Sequence, residues 1–179
     1  MCIIFLYIIL KMLFLQTFYF FLPAFTANMA PVVTAKLNLP FGNPINERAL
    51  GKNKTYRGFY SGVIASYLTV LVQKNLNFES LNLINYQEVN VIKLSFLLGF
   101  GALFMDSVKS YFKRRKGIKS GEKWVPFDQM DLMTGAVLFT MFAYELPMLE
   151  TFIVFITTPI LHALVNYLSY KLGMKDVWW

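Results

Sequence analysis

The chain has 179 residues, of which 56% are hydrophobic and 17% aromatic, and its formal net charge is +7 at pH 7. A mean hydropathy of +0.49 excludes an ordinary soluble domain of this length. The single cysteine, Cys2, excludes an internal disulfide and a cysteine-rich metal site.

Five apolar runs follow one another along the chain. They cover roughly residues 3–27, 58–73, 89–107, 132–147 and 149–171. A helix needs about 20 residues to cross the hydrocarbon core, a length that the first, third and fifth runs meet. The second and fourth runs are shorter, so tilt or local thinning of the bilayer must make up the difference. The sequence predicts an all-α, polytopic membrane protein with about five transmembrane helices in one domain, residues 1–179.

The first run is apolar and N-terminal, as a signal peptide would be. It lacks a basic n-region, exceeds the usual ~7–15 apolar residues and is interrupted by Lys11. We therefore favour a retained helix. Because a charge inside a span is costly, either the span starts near Met12 with Lys11 at the outer interface, or residues 1–10 form an N-terminal extension outside it.

Positive charge concentrates in the connections after the first and third runs. These two loops hold 12 of the 17 Lys and Arg residues: Lys36, Arg48, Lys52, Lys54 and Arg57 in the first, and Lys109, Lys113, Arg114, Arg115, Lys116, Lys119 and Lys123 in the second. The positive-inside tendency makes both loops cytoplasmic, with the N-terminus outside and the C-terminus inside. The two loops then share one face of the cell membrane. The charge fits anionic lipid and phosphate better than nucleic acid.

The first basic loop, residues 28–62, reads NMAPVVTAKLNLPFGNPINERALGKNKTYRGFYSG. Its Pro and Gly residues between 40 and 44 disfavour a regular helix there. GKNKT lacks the spacing of a phosphate-binding P-loop and follows no strand. Lys52, Lys54, Thr55 and Arg57 precede a helix beginning near Gly58, whose free N–H groups favour an anion. The same residues are equally compatible with a positive-inside anchor that touches only lipid headgroups.

The second basic loop reads DSVKSYFKRRKGIKSGEKWVPFDQMD and begins at Asp106. Asp106, Lys109 and Lys113 are spaced i, i+3, i+7, so they share one face if the third helix continues. The helix macrodipole disfavours a carboxylate in the last turn. Asp106 therefore requires a cation, for which Lys109, Lys113 and a metal ion are the candidates.

Asp128 and Asp131 lie at the other end of this loop, at the start of the fourth helix. Acidic residues in a first turn are also ordinary caps and dipole partners. Carboxylates on the same face as many cations suit a hard ion such as Mg²⁺ together with a phosphate. The chemistry indicated is phosphoryl or nucleotidyl transfer, in which cations neutralise the departing diphosphate.

Several spaced motifs carry a family resemblance from about Asn28 to the C-terminus. They are N-x-x-P at 28–31, GKNKTYRGFYSG at 51–62, DSVKSYFKRRKGIKSGE at 106–122, PFDQMD at 126–131 and TPILHALVNYLSYKLGMKDVWW at 158–179. With these motifs the chain resembles the CDP-archaeol synthases, membrane cytidylyltransferases related to the CTP:phosphatidate cytidylyltransferases. The H-G-G of the phosphatidate branch is replaced by WVPF, which favours the archaeol branch. One departure is Met105, where the family pattern has glycine.

The resemblance implies transfer of CMP from CTP to a membrane lipid phosphate, with Mg²⁺ required and diphosphate released. In the archaeol branch the acceptor is 2,3-bis-O-(geranylgeranyl)-sn-glycerol 1-phosphate. The implied metal ligands are Asp106, Asp128 and Asp131. The implied phosphate-binding cations are Lys54, Arg57, Lys109, Lys113 and Arg114, with Asn28, Lys52, Thr55 and Ser110 as further contacts to the nucleotide.

Two alternatives stay open from the sequence. One is the same chemistry on diacyl phosphatidate, because apolar runs do not distinguish isoprenoid from acyl chains. The other is a small non-enzymatic membrane protein whose basic loops serve topology and lipid contact alone. His162 lies on the same helix face as Asn166, and we expect it to be a structural residue. The oligomeric state is not readable from the sequence.

Overall fold

The computed structural model describes residues 2–174, without the side chains of residues 2–10, 161 and 162. Its helices are α1 (Cys2–Lys36), α2 (Glu47–Leu50), α3 (Tyr56–Leu76), α4 (Val91–Arg115), α5 (Phe127–Met141) and α6 (Met148–Lys171), with a 3₁₀ turn at Glu79–Leu81. Within these residues the only β-type pairing is an isolated bridge between Pro44 and Thr55. The predicted all-α class is confirmed.

Three helical segments of the described chain are long and apolar enough to cross a membrane: Lys11–Lys36, Val91–Arg115 and Met148–Lys171. Helix α3 has 21 residues but no stretch of comparable hydropathy. Helix α5 has 15 residues, which extend about 22 Å at 1.5 Å per residue and fall short of a hydrocarbon core of about 30 Å. The multi-pass membrane architecture is confirmed, and the number of five spans stays a prediction.

Two helix boundaries differ from the sequence-based expectation. Helix α1 continues to Lys36, so Asn28 and Pro31 lie in a helix and not in the first basic loop. Pro31 cannot donate to the carbonyl of Ala27, and that oxygen lies against Gly62 of α3. Helix α5 ends at Met141, so residues 142–147, which continue the fourth apolar run, form a turn before α6.

The packed centre of the bundle comprises α1, α3, α4 and α5, whose inward side chains form one hydrophobic core. Phe20, Leu94, Leu98 and Met133 are among its fully buried members. Small residues allow the helix backbones to approach closely, as is common between membrane helices. Glycines of α4 and α5 touch directly in this way.

The helix ends that carry positive charge meet at one end of the bundle. The Lys36 ammonium at the end of α1 donates to the Gly173 carbonyl just after α6, at 3.1 Å. Lys54, just before α3, forms an ion pair with Asp106 of α4. We call this the basic end, comprising residues 36–57, 106–131 and 171–174.

Candidate active site

The Lys109 ammonium lies at the centre of the basic end, between three carboxylates. Its Nζ is 3.0 Å from Asp106 Oδ1, 2.9 Å from Asp128 Oδ1 and 2.6 Å from Asp131 Oδ2. The Lys109 side chain is only 14% exposed. An ammonium has three donors, so these contacts use all of them. The structure therefore brings the three predicted metal ligands together around one nitrogen atom.

Asp106 lies within α4, nine residues before the helix ends at Arg115, so the predicted position in the last turn, where the macrodipole disfavours a carboxylate, is wrong. The carboxylate is nevertheless largely buried, with 16% of its side chain exposed. Two lysines compensate for this: Lys109 from the next turn of α4 and Lys54 from the first basic loop. Lys113, also expected to pair with Asp106, contacts Asp128 instead. The contact between Lys54 and Asp106 therefore joins the two basic loops, although the two residues are 52 positions apart in sequence.

Asp128 lies in the first turn of α5 but does not cap that helix. It accepts the backbone N–H of Trp124, which precedes α5, and both of its oxygens lie 3.1 Å from Lys113 Nζ. Burial opposes ionisation of Asp128, but Lys109, the Trp124 N–H and Lys113 together hold its pKa below the ordinary value. Asp128 thus stays ionised and fixes the loop that leads into α5.

Asp131 is the most enclosed of the three carboxylates, with 7% of the residue exposed. Its Oδ1 accepts the N–H of Leu132, and its Oδ2 faces Lys109. Burial and the nearby charge of Asp106 raise the pKa of Asp131 to about 7, against the opposing effect of Lys109. Ionised Asp131 therefore benefits from any further positive charge delivered to the site.

Lys113 connects α4 to the loop that follows it. Its side chain is 8% exposed and donates to the backbone carbonyl of Glu122 as well as to Asp128. This partner was not expected from the sequence, because a backbone carbonyl leaves no pattern in the residue types. Lys113 therefore holds the 116–126 segment against the start of α5.

The two arginines of the predicted site lie at its margin. Arg57 donates through Nη1 to the Leu39 carbonyl at 2.6 Å, and its guanidinium packs against Gly42. Arg114 lies beside Gly51, whose φ of +86° is left-handed. The Nε atoms of both arginines are buried without a hydrogen-bond partner. Both guanidinium groups therefore retain donor capacity toward an anion.

Among the described residues, the other predicted nucleotide contacts do not bind the three carboxylates, and two of them have partners close in sequence. Thr55 is the N-cap of α3 and accepts the Gly58 N–H at 3.0 Å, and Ser110 donates to the Asp106 carbonyl at 2.8 Å. Lys52 is exposed. Asn28 lines a cavity of about 40 Å³ between α1 and α6, beside Asn166. The His162 side chain lies outside the described part of the structure.

Met105, the departure from the family pattern, lies at the interface of α4 with α5. A Cβ at Gly135 would lie 2.7 Å from Met105 Cβ, so the glycine on α5 makes room for Met105. Met105 therefore packs against the opposite helix, and we predict no direct effect of its side chain on the carboxylates.

The donor set fits a hard divalent cation, although no group of three His, Cys, Asp or Glu among the described side chains has the geometry of a formed metal site. The ammonium of Lys109 lies between the three carboxylates. Each carboxylate nevertheless directs an oxygen toward one point, and carboxylate oxygens are the ligands that Mg²⁺ prefers.

Comparison with known proteins decides the family. The family model described as CarS-like, CDP-archaeol synthase, matches residues 9–179. The chain belongs to the CDP-archaeol synthase family. The resemblance inferred from the spaced motifs is thereby confirmed.

Related proteins cover most of the chain. A CDP-archaeol synthase of Methanospirillum hungatei is 40% identical over 74% of this chain and 82% of its own length. A second, of Methanococcus vannielii, is 34% identical over 96% of this chain and 99% of its own. The fold matches a solved structure described as an intramembrane enzyme for archaeal membrane lipids biosynthesis, with a TM-score of 0.69 and 23% identity, over 83% of this chain and 91% of the other.

Proposed function

We propose that the chain transfers CMP from CTP to the phosphate of an archaeal ether lipid, giving a CDP-lipid and diphosphate. The acceptor that suits the family is 2,3-bis-O-(geranylgeranyl)-sn-glycerol 1-phosphate. One observation carries the proposal: Asp106, Asp128 and Asp131 converge on Lys109 where α5 meets α4, a helix long and apolar enough to span the membrane. Membership of the CDP-archaeol synthase family supports the same reaction.

The reaction is an in-line displacement at the α-phosphorus of CTP. A non-bridging oxygen of the lipid phosphate forms the new P–O bond, the bond to the β-phosphate oxygen breaks, and diphosphate leaves with the electron pair. The lipid phosphate is already ionised, so no protein base or covalent intermediate is required. The chain's task is to align two anions and stabilise the charge that develops on the leaving group.

The cations of the basic end are placed for this task. Lys54 and Lys113 have part of their side chains exposed, at 22% and 8%, while each also holds a carboxylate in position. Arg114 and Arg57 contribute guanidinium donors at the margin of the site. Asp106, Asp128 and Asp131 would hold Mg²⁺, which when bound neutralises phosphate oxygens and polarises the reacting phosphorus.

We propose that the basic end faces the cytoplasm, where CTP is available. The Lys and Arg residues of the two loops meet at this end, as the positive-inside tendency requires of cytoplasmic segments. An accessibility test decides the orientation: single cysteines at Lys119 and at Glu79, in a Cys2→Ser background, should react with a membrane-impermeant maleimide from opposite sides. Labelling of both positions in intact cells would contradict it.

The activity test uses purified protein in detergent with CTP, Mg²⁺ and the geranylgeranyl ether phosphate. We expect diphosphate release together with a CDP-lipid, and loss of both on adding EDTA. Asp131→Asn should abolish turnover in a protein that still elutes as a folded species, whereas Glu122→Gln, an exposed acid of the same loop, should keep it. A fully active Asp131→Asn enzyme would remove the proposed metal role.

The acceptor is tested by presenting ether and diacyl lipid phosphates in parallel. We expect the ether acceptor to give the higher kcat/KM. A higher value for diacyl phosphatidate would assign the chain to ester lipids, and no product from either would leave CTP transfer to lipid unsupported.

A further inference from the structure

The Lys109 ammonium takes the place between the carboxylates that a metal ion would need. Three carboxylate oxygens lie within 3.0 Å of its Nζ, whereas Lys54 and Lys113 each form an ion pair with one of these carboxylates. Lys109, predicted to pair with Asp106 and to bind the triphosphate, therefore has Asp128 and Asp131 as further partners.

We propose that Lys109 is an internal counter-ion that competes with the metal, and that it must leave the three carboxylates before a divalent cation can bind there. The proposal rests on the proposed metal-dependent function. It makes Lys109 a positioning residue in the nucleotide-free protein and a phosphate-binding residue once substrate is present.

The distances support exclusion of the metal by the lysine. A small divalent ion such as Mg²⁺ binds oxygen at about 2.0–2.1 Å. The carboxylate oxygens lie 2.6–3.0 Å from the Lys109 nitrogen, so their common centre is occupied by the ammonium. Two cations cannot share that centre, because both the contact distance and the Coulomb repulsion forbid it.

Charge balance indicates when Lys109 leaves. With Asp131 ionised, Lys54, Lys109 and Lys113 face Asp106, Asp128 and Asp131, and the six formal charges sum to zero. A divalent cation added alone would leave an enclosed site with excess positive charge. A divalent cation added with a nucleotide triphosphate brings negative charge that Lys109 can bind instead. The metal and the nucleotide are therefore expected to bind together, and the metal alone only weakly.

The geometry of α4 makes such a transfer feasible. Lys109 lies one turn beyond Asp106 and one turn before Lys113, on the side of the helix that faces the basic end. Its long, flexible side chain can swing from the carboxylates without any movement of the backbone. Lys54 and Lys113 stay with Asp106 and Asp128 and keep the carboxylates in place.

The test measures Mn²⁺ binding in the absence of nucleotide, from the loss of the free-ion signal in electron paramagnetic resonance. Purified full-length wild type should bind Mn²⁺ weakly. Lys109→Met should bind it at least tenfold more tightly, because the competing ammonium is gone. Lys119→Met, which removes an exposed lysine of the same loop, should match the wild type.

A double variant tests whether the tighter Mn²⁺ binding occurs at the three carboxylates. Adding Asp131→Asn to Lys109→Met should abolish the tightened binding. Equal Mn²⁺ affinity of wild type and Lys109→Met would overturn the proposal, as would a gain that survives Asp131→Asn. Neither result depends on catalysis, so loss of CDP-lipid formation in the wild type is a separate outcome that bears on the proposed function alone.

Two measurements keep the proposal testable if Lys109→Met fails to fold. Lys109→Gln keeps a polar side chain and should show the same direction of change. In the wild type, amine modification followed by mass spectrometry should find Lys109 slow to react in EDTA and faster at saturating Mg²⁺, with Lys119 unchanged. An Mg²⁺-independent rate at Lys109 would contradict the displacement.

Discussion

Gly101 of α4 and Gly135 of α5 bring two helix backbones into direct contact, so that a Cβ built on Gly135 would lie 2.0 Å from the Gly101 carbonyl oxygen. Asp106 follows Gly101 by five residues, and Asp131 precedes Gly135 by four. In this antiparallel pair both carboxylates therefore lie about one turn from the contact, toward the basic end. The glycine contact sets the distance across which Lys109 bridges Asp106 and Asp131.

Substitution of Gly135 by Ala should separate the two carboxylates. Alanine normally stabilises a helix by about 1 kcal/mol relative to glycine, but here the added methyl group overlaps backbone. Overpacking of this kind typically costs about 1–3 kcal/mol. We expect a lower Tm and at least a tenfold loss of kcat/KM, measured in detergent. Leu138→Ala, on an exposed position of the same helix, should change activity little, and a more stable, fully active Gly135→Ala protein would contradict the role of the contact.

Removal of the Lys54 ammonium should disconnect the first basic loop from α4. Lys54→Met leaves Asp106 with Lys109 alone and removes a cation from the site. Loss of one charge-stabilising donor typically costs about 100-fold or more in rate, so we expect a loss of kcat/KM of that order. Hydrogen exchange should also quicken in residues 42–55. Lys119→Met provides the matched control, and equal rates for the two variants would refute the pairing.

Helical spacing predicted the Asp106–Lys109 contact, because residues three apart in a helix are neighbours whatever the tertiary structure. Helical spacing does not predict the Lys54–Asp106 and Lys113–Asp128 contacts, because each joins two different elements. They depend on how α3 and α5 pack against α4. Small residues such as Gly62 and Gly135 determine that packing, and they lie apart in sequence from the charged residues.

The same limit explains the misplacement of Asn28. The first apolar run ends near residue 27, which predicts that Asn28 lies in the loop that follows it. Helix α1 nevertheless continues through Pro31 to Lys36, and the Ala27 carbonyl that Pro31 cannot satisfy lies against Gly62, a contact that no local pattern reveals. The family motifs thus grouped three carboxylates that the fold brings together, whereas the local pattern placed Asn28 in the wrong element.

Substitution of Thr55 tests whether this motif residue binds the nucleotide or only caps helix α3. Its Oγ1 accepts the Gly58 N–H at the start of α3, so Thr55→Ala should lower stability by about 1 kcal/mol through loss of the cap. Thr55→Ser keeps the acceptor and should restore the Tm. We expect KM for CTP to change less than in Lys54→Met. A large rise in KM that serine does not rescue would instead assign Thr55 to nucleotide binding.

Asp131 should make the stability of the metal-free protein depend on pH. The pKa of Asp131 is raised to about 7 in the folded protein, above the ordinary value of 3.8 that applies to an unfolded chain. Between these two values the folded state binds the extra proton, so raising the pH through this window removes stability. Below pH 4 both states are protonated, and above pH 7 the loss is complete.

Asp131→Asn removes this titration because asparagine resembles the protonated acid. In EDTA and without CTP, the difference in Tm between Asp131→Asn and wild type should grow in favour of the variant as pH rises from 5 to 8. The variant should be inactive throughout, since the amide cannot replace an ionised ligand. Glu122→Gln, which alters an exposed acid, should show no such trend. A difference in Tm that is constant with pH would show that Asp131 is ionised in the folded protein over the whole range.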